Sequence, residues 1–301
     1  MKKIILILFL LFLTSYQTAS AASKAEPIIN ISPLIFNISL SPGKTYNYKL
    51  EAKNLTSTPL PLKISLENFQ STDEEGGYDF ANNTPNPLLS WVKIEKTDMI
   101  IPVKGKETVN FSISIPNKIP LGGYYGILFL EPLVTQKAAN NTVINSRVGS
   151  LLLANIGNQG KNQPEILTFT TDRIIEGNNL NFLLRVKNNG LNHFSAKPFI
   201  YVRPLIGPSQ KIEIEEKFVF PNKVRRWQEG VKLDHKWLGI YQIKVGVSSG
   251  NGDQIFATKY FIDFPVSKAI LILLSASILG FIIIYRKRVI KALSILIGNK
   301  A

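Results

Sequence analysis

Between Ile28 and Val266 the sequence is written in period two, and that rhythm leaves few folds open. Tyr46, Tyr48, Leu50 and Ala52 alternate with Asn47, Lys49, Glu51 and Lys53. Leu60, Leu62, Ile64 and Leu66 alternate with Pro61, Lys63, Ser65 and Glu67, and Val109, Phe111, Ile113 and Ile115 with Thr108, Asn110, Ser112 and Ser114. Successive side chains of a strand point to opposite faces, so each stretch predicts a strand with one face in a core and one in water. Pro42-Gly43, Thr58-Pro59, Lys104-Gly105-Lys106 and Pro116-Asn117 supply turns between them. No stretch in this region keeps a helical period, so the expected fold is all-β.

The second half repeats the style. Leu180, Phe182, Leu184 and Val186 predict one strand, Ala196–Arg203 another and Ile212–Phe220 a third. Tyr241, Ile243, Val245 and Val247 are expected to pair with Ile255–Ile262 across a Gly-Asn-Gly-Asp loop. Leu50–Thr56 (LEAKNLT) resembles Leu184–Gly190 (LRVKNNG), and Leu121-Gly122-Gly123-Tyr124 resembles Leu238-Gly239-Ile240-Tyr241. The first copy is longer between these landmarks, and the strand-poor stretch Ser71–Pro87 accounts for the excess as a loop insertion. Two tandem immunoglobulin-like β-sandwiches, 28–156 and 164–265, joined near Gly157–Gln163, explain the pattern. Gly43, Gly122, Gly123, Asn188 and Gly190 are expected to serve as structural turn residues.

The two ends are apolar and differ. Lys2 and Lys3 precede the run Ile4–Leu13, and Ala19-Ser20-Ala21 fits a cleavage site, so residues 1–21 read as a secretory signal peptide. Ala269–Tyr285 carries no charge and meets Arg286, Lys287 and Arg288, then Lys291. As a helix it is about 26 Å long, enough with a snorkelling Lys268 to span a hydrocarbon core. Segment 266–285 is thus expected to cross the membrane once. The basic cluster marks a cytoplasmic tail, 286–301, and leaves the domains extracytoplasmic. A buried core helix is the alternative for this run. No cysteine is present to carry a lipid anchor or a disulfide, so an exported protein of this kind relies on its cores.

The formal charge is +14, and 45% of residues are hydrophobic. Lys2, Lys3, Arg286, Lys287, Arg288, Lys291 and Lys300 lie in the two ends; setting these seven aside leaves +7 between them. A basic exported surface suits anionic polymers or membrane lipids, or simply keeps the domains soluble. Nucleic acid is not expected as a partner of an exported chain.

Candidate chemistry is sparse. His193 and His235 are the two histidines, no Gly-x-Ser-x-Gly elbow occurs, and two histidines alone do not close a zinc site. No catalytic residue, metal or cofactor is expected. His193 follows Asn188-Asn189-Gly190 and is read as bonding the turn backbone. Asp73, Glu74, Glu75 and Asp79 around Gly76-Gly77 offer oxygen ligands for calcium but lack EF-hand spacing, and a solvated loop is the preferred reading. Trp91, beside Leu88, Leu89 and Val92, reads as sandwich core. Arg225, Arg226 and Trp227 are the candidate ligand-binding residues, a sugar- or polymer-binding patch, with a loop anchor as the alternative role of Trp227.

A family resemblance rests on Ser41-Pro42-Gly43, Lys53–Thr56, Ser90-Trp91-Val92, Ile115–Gly126 (IPNKIPLGGYYG), Val186–His193 (VKNNGLNH), Phe220-Pro221 before Arg225-Arg226, and Leu238–Tyr241. Together with the order of elements, these resemble the two-domain WxL-interacting surface proteins of bacteria. The resemblance implies two immunoglobulin-like domains before one membrane helix, a peptidoglycan-binding first domain and a protein-binding second domain. This chain departs from that pattern by its longer acidic loop and brief linker.

The expectation is a non-enzymatic, membrane-anchored cell-surface protein that attaches to cell-wall polymer, another surface protein, or both. The alternative is a secretion or assembly accessory protein that holds client strands by β-augmentation.

Overall fold

The computed structural model describes residues 27–80, 86–133, 136–137, 143–144, 147–157, 162–234, 239–250, 253–286 and 288. The expected signal peptide, Lys287, His235, most of the linker and the tail beyond 288 lie outside the described residues.

In the first half the strands are β1 (Ile29–Ser32), β2 (Ile35–Leu40), β3 (Thr45–Asn54), β4 (Leu60–Asn68), β5 (Gln70–Ser71), β6 (Tyr78–Asp79), β7 (Val92–Ile94), β8 (Asp98–Ile101), β9 (Lys106–Ser114), β10 (Gly122–Pro132), β11 (Gln136–Lys137), β12 (Val143–Ile144) and β13 (Val148–Ile156). A single helical turn, α1 (Leu88–Trp91), interrupts a region expected to be free of helix; it drives Leu88 and Trp91 into the core. The two main sheets run β1-β3-β9-β7 and β2-β13-β10-β4-β8. Their inner faces are those written by the alternation: Leu50, Leu62, Ile64, Phe111 and Ile113 are buried between the sheets with Leu128, Leu130 and Leu152. Each such side chain contributes about 1.5–3 kcal/mol on leaving water.

The second half holds β14 (Pro164–Thr171), β15 (Ile174–Ile175), β16 (Asn179–Asn188), β17 (Phe194–Pro204), β18 (Gln210–Glu213), β19 (Lys217–Val219), β20 (Val224–Lys232), β21 (Gly239–Ser248) and β22 (Gln254–Asp263). Its sheets run β14-β16-β20 and β15-β22-β21-β17-β18, with β19 also on β17. The strand expected over Ile212–Phe220 is split into β18 and β19. Glu213 pairs with Phe199 but Lys217 with Ala196, so four steps along one strand meet three along the other. That extra residue is a β-bulge, a feature the alternation alone does not reveal.

The two strand orders correspond. β1-β3-β9 matches β14-β16-β20, and β2-β13-β10-β4 matches β15-β22-β21-β17. In each half the opening segment divides between the sheets, and its second part runs parallel to the last strand. This is the layout of an immunoglobulin-like sandwich, present twice. The hairpin expected near the end forms as β21–β22, with Tyr241 opposite Phe261 and Val247 opposite Ile255.

The short repeat is a structural peg. Asn54 ends β3 and Asn188 ends β16, and both side chains are fully buried. In each, Oδ1 accepts the amide two residues on, Thr56 or Gly190, at 2.8 Å. Nδ2 of Asn54 reaches carbonyls of Thr58, Ile101 and Pro102, and Nδ2 of Asn188 those of Asn192 and Val219. One amide thus satisfies backbone groups of two loops that would otherwise be buried without partners. Nearby, Tyr124 at the start of β10 donates its hydroxyl to the Pro120 carbonyl at 2.8 Å, a tyrosine corner. Gly43, at φ +76°, turns the chain into β3 and gives its amide to Ile115.

Beyond β22 comes α2 (Val266–Ile284), uncharged after Lys268, with the hydroxyls of Ser275 and Ser277 turned back onto the helix backbone and none of its residues buried. It is long and apolar enough to cross a membrane, and it packs into neither sandwich, so it is not a core helix.

Replacing either peg, Asn54→Ala or Asn188→Ala, is expected to lower the unfolding free energy of a soluble fragment spanning 27–265 by about 2–4 kcal/mol, because buried carbonyls lose their donor. Urea denaturation measures this; an unchanged midpoint in both variants would refute the peg.

Candidate functional site

The two sandwiches are joined along a built interface. Gly126–Leu130 of β10 and Leu152–Ala154 of β13 are continuous apolar runs, and they are buried on both faces. One face fills the first core. The other gathers Phe69, Ile127, Phe129 and Leu153 with Phe220 of the second sandwich. Phe220 meets Phe69 and Tyr125 edge-on at 5.9 and 4.8 Å between centroids.

The acidic insertion closes the same interface. Asp73 Oδ1 accepts the amides of Glu75, Gly76 and Gly77 at 2.9, 2.7 and 2.8 Å, which folds the tip and holds its carboxyl below the usual range. Glu74 receives the Arg185 guanidinium as a two-point fork, with Nε at 2.7 Å, and this pairing lowers the carboxyl's ionisation range. Glu75 pairs with Arg226, and the Glu74 carbonyl accepts the Arg226 amide at 2.8 Å. Gly76 passes so close to Arg225 that a Cβ there would lie 2.9 Å from the guanidinium, and its φ of +116° also favours glycine. The expected solvated loop is therefore a strap onto β16 and β20. Among the described residues no group of acids and histidines is arranged to hold a metal ion.

These contacts overturn the expected surface patch. Trp227 is 0% exposed, lies in the second core and donates Nε1 to the Glu215 carbonyl at 2.8 Å. Arg225 is 3% exposed and donates Nε to the Phe218 carbonyl. Arg226 faces Glu75. The three residues sit on β20, whose alternation sends Arg225 and Trp227 inward; charge next to tryptophan in sequence does not imply a shared surface.

His193 also differs from expectation. Asn188 holds the turn, while His193 crosses to the first sandwich, its Nε2 2.9 Å from Asn37 Oδ1 and its ring against Tyr125. Burial pushes its ionisation down to about 4. Asn155 Nδ2 donates to the His193 carbonyl, and the Gly123 amide to the Leu191 carbonyl at 2.9 Å. Gly122, at φ +146°, lets the chain pass Leu191 closely. Gly122, Gly123 and His193 thus belong to the interface, and Asn188 and Gly190 to the peg. A cleft of about 340 Å³ remains beside them, lined by Phe69, Leu121, Tyr125, Leu191, Phe220 and Lys223 among others. Arg286 and Arg288 are exposed at the far end of α2.

A second surface was not foreseen. The outer face of the β18-β17-β21-β22 sheet reads in cross-strand rows fixed by register. One row is Phe199–Gly246–Phe256 and the next, with Lys211, is Tyr201–Lys244–Thr258. Phe199 lies over Gly246, where a Cβ would be 2.3 Å from its ring, and approaches Tyr201 and Phe256 edge-on at 5.4 and 6.2 Å. Lys211 Nζ stands 4.9 Å from the Phe199 centroid and Lys244 Nζ 4.0 Å from that of Phe256. Tyr201 and Phe256 remain well exposed. The arrangement offers apolar ring faces flanked by two cations, of which Lys211 is paired with Glu213 at 2.5 Å. Its signal in sequence is Phe199 and Tyr201 at alternate positions, which becomes a surface only once β21 and β22 are placed beside them.

No family model matches the chain, and no characterised protein matches it in sequence. Solved structures are similar in layout. The class 5 fimbriae chaperone CfaA is 13% identical, with 77% of this chain and 98% of that one covered, at a TM-score of 0.40. The YadV chaperone is 12% identical over 78% and 100% of the two chains, at 0.39. The complex of the Salmonella enterica SafA pilin with the SafB chaperone contains a chain 10% identical over 80% and 100%, also at 0.39. Likenesses at this level carry no argument about function.

The buried histidine makes the fold pH-dependent in a definite direction. Its folded value of about 4 lies below the unfolded 6.5, so the unfolded chain binds the proton first and stability is lost as pH falls from 6.5 through 4. The loss approaches roughly 3 kcal/mol at pH 4. Glu74 loses stability in the same direction, so the measurement is a difference: His193→Gln should flatten the fall in melting temperature between pH 6.5 and 4.5. Parallel curves for the two proteins would refute it.

Proposed function

We propose that the protein is a non-enzymatic, membrane-anchored surface protein. Its two locked sandwiches hold the Phe199–Tyr201–Phe256 face against an anionic sugar polymer of the cell wall. The observation that carries this reading is the cation-flanked aromatic row over Gly246. Exposed rings accept the apolar faces of sugars, and lysines beside them accept negative charge. The +7 left between the two chain ends agrees in sign. The single helix α2 supports anchoring, with the basic cluster from Arg286 marking the cytoplasmic side. The histidine whose surroundings are described is held inside the interface, which favours binding over acid–base chemistry.

A second reading, in which the protein holds a client strand, draws on a separate groove. Beyond Glu95, whose amide donates to the Asn110 carbonyl, Glu107–Val109 of β9 faces the outer edge of β8 across a cleft of about 270 Å³, with Ile100 exposed beside it. Unpaired strand edges of this kind accept an added strand through main-chain hydrogen bonds.

The soluble fragment 27–265 should be retained on purified wall material, and less so as salt rises from about 0.05 to 0.5 M, where screening shortens several-fold. Tyr201→Ala with Phe256→Ala should weaken retention about tenfold or more, the scale of two lost ring contacts, while leaving the melting temperature nearly unchanged. Retention that the double variant leaves intact refutes this face as the site. Binding of a protein that Ile100→Lys abolishes would favour the strand-holding reading.

A further inference from the structure

The lowest rows of that same outer face have a different chemistry. Ile240 of β21 stands opposite Ile262 of β22, which stands opposite Ile174 of β15. The β17–β21 register, Pro204 to Tyr241, continues to place Leu205 opposite Ile240, and the Leu205 amide donates to the Ile240 carbonyl at 3.1 Å. Four isoleucine and leucine side chains therefore form one row across four strands, and they are 58%, 43%, 52% and 82% exposed in the order Ile174, Ile262, Ile240, Leu205. Ile206, in the adjoining turn, is 84% exposed, and Phe264 46%. A hollow of about 460 Å³ opens between the Leu205–Gly207 turn and Gly239–Ile240.

Solvent is a poor partner for so much contiguous apolar surface. Its position names a better one. Only Phe264 and Pro265 separate the end of β22 from the start of α2, and Ser267 on the first turn of that helix is hydrogen-bonded to Glu176 next to β15. The apolar row is therefore pinned to the place where α2 leaves the sandwich. The next row, about 7 Å further along the strands, is Arg203–Gln242–Tyr260, with Gln242 Nε2 donating to the Tyr260 hydroxyl at 3.0 Å. Tyrosine and arginine one row above an apolar edge is the order found where protein surface meets lipid headgroups.

We propose that this rim, Leu205, Ile206, Ile240, Ile262, Ile174 and Phe264, sits in the headgroup–acyl boundary of the bilayer, so that the second sandwich rests on the membrane and does not stand off on a flexible stalk. The proposal rests on the reading of α2 as a membrane helix.

The test uses the full chain in liposomes, with single cysteines introduced into a protein that has none and labelled with a polarity-sensitive fluorophore. Ile206→Cys probes the rim, Ile278→Cys the helix, and Lys197→Cys the opposite end of the same sheet. Lipids carrying a nitroxide near the headgroup should quench the label at 206 at least roughly threefold more than that at 197, as expected for a group inserted at the interface. Deep nitroxides should quench the label at 278. Quenching at 278 with none at 206, and iodide access to 206 from the aqueous side, overturns the rim proposal alone. A label at 206 shielded from iodide yet unquenched by lipid means that a second copy or another protein covers the rim, and also overturns it. No quenching at 278 overturns the membrane reading and the rim with it. Leu205→Glu with Ile206→Glu, read through a label at Ile240→Cys, should abolish the shallow quenching while that at 278 persists; quenching that survives both glutamates counts against the rim.

Discussion

The arrangement of this molecule depends on one contact, the seating of Phe220 against the outer face of β10 and β13. Immunoglobulin-like sandwiches normally bury one face of each sheet and leave the other to water. Here Ile127, Phe129 and Leu153 make that second face apolar, and the neighbouring sandwich covers it. Once Phe220 is in place, the acidic strap has a fixed target. Glu74 and Glu75 meet Arg185 and Arg226 at the end of a hairpin whose own turn is held by Asp73. Exposed ion pairs contribute little alone, so apolar burial supplies the adhesion and the ion pairs select the relative orientation. Polar contacts such as His193 to Asn37 narrow it further.

This division explains what could be read from the sequence. Strands such as β3, β4 and β9 were legible because each has one wet face, and alternation is the signature of that asymmetry. The Asn54 and Asn188 pegs surfaced as a repeat because one backbone problem, closing two loops at a strand end, was solved twice with the same side chain. The last hairpin followed from its glycine-rich loop.

What was misread depended on partners far away in the chain. Arg225, Arg226 and Trp227 suggested a surface, because nothing local shows that a loop some 150 positions earlier covers the two arginines while Trp227 turns into the second core. The acids of that loop suggested a solvated segment for the same reason. The doubly buried runs in β10 and β13 did carry a local signal: apolar residues without alternation mean that both faces are dry. The Phe199–Phe256 row left only the alternate pair Phe199 and Tyr201 as a trace, and the Ile174–Leu205 row none, since each is assembled by register across strands.

The short passage from β22 to α2 has a mechanical consequence. With two residues between strand and helix, tension on α2 is delivered along the axis of β22. That strand is paired with β21 from Gly239↔Asp263 to Ser248↔Gln254, so pulling loads the ladder lengthwise. Ten residue pairs then share the force together, whereas peeling would break them one after another. The strand nearest the helix is thereby placed to bear traction, and a load on the second sandwich would reach α2 without first unravelling the sandwich.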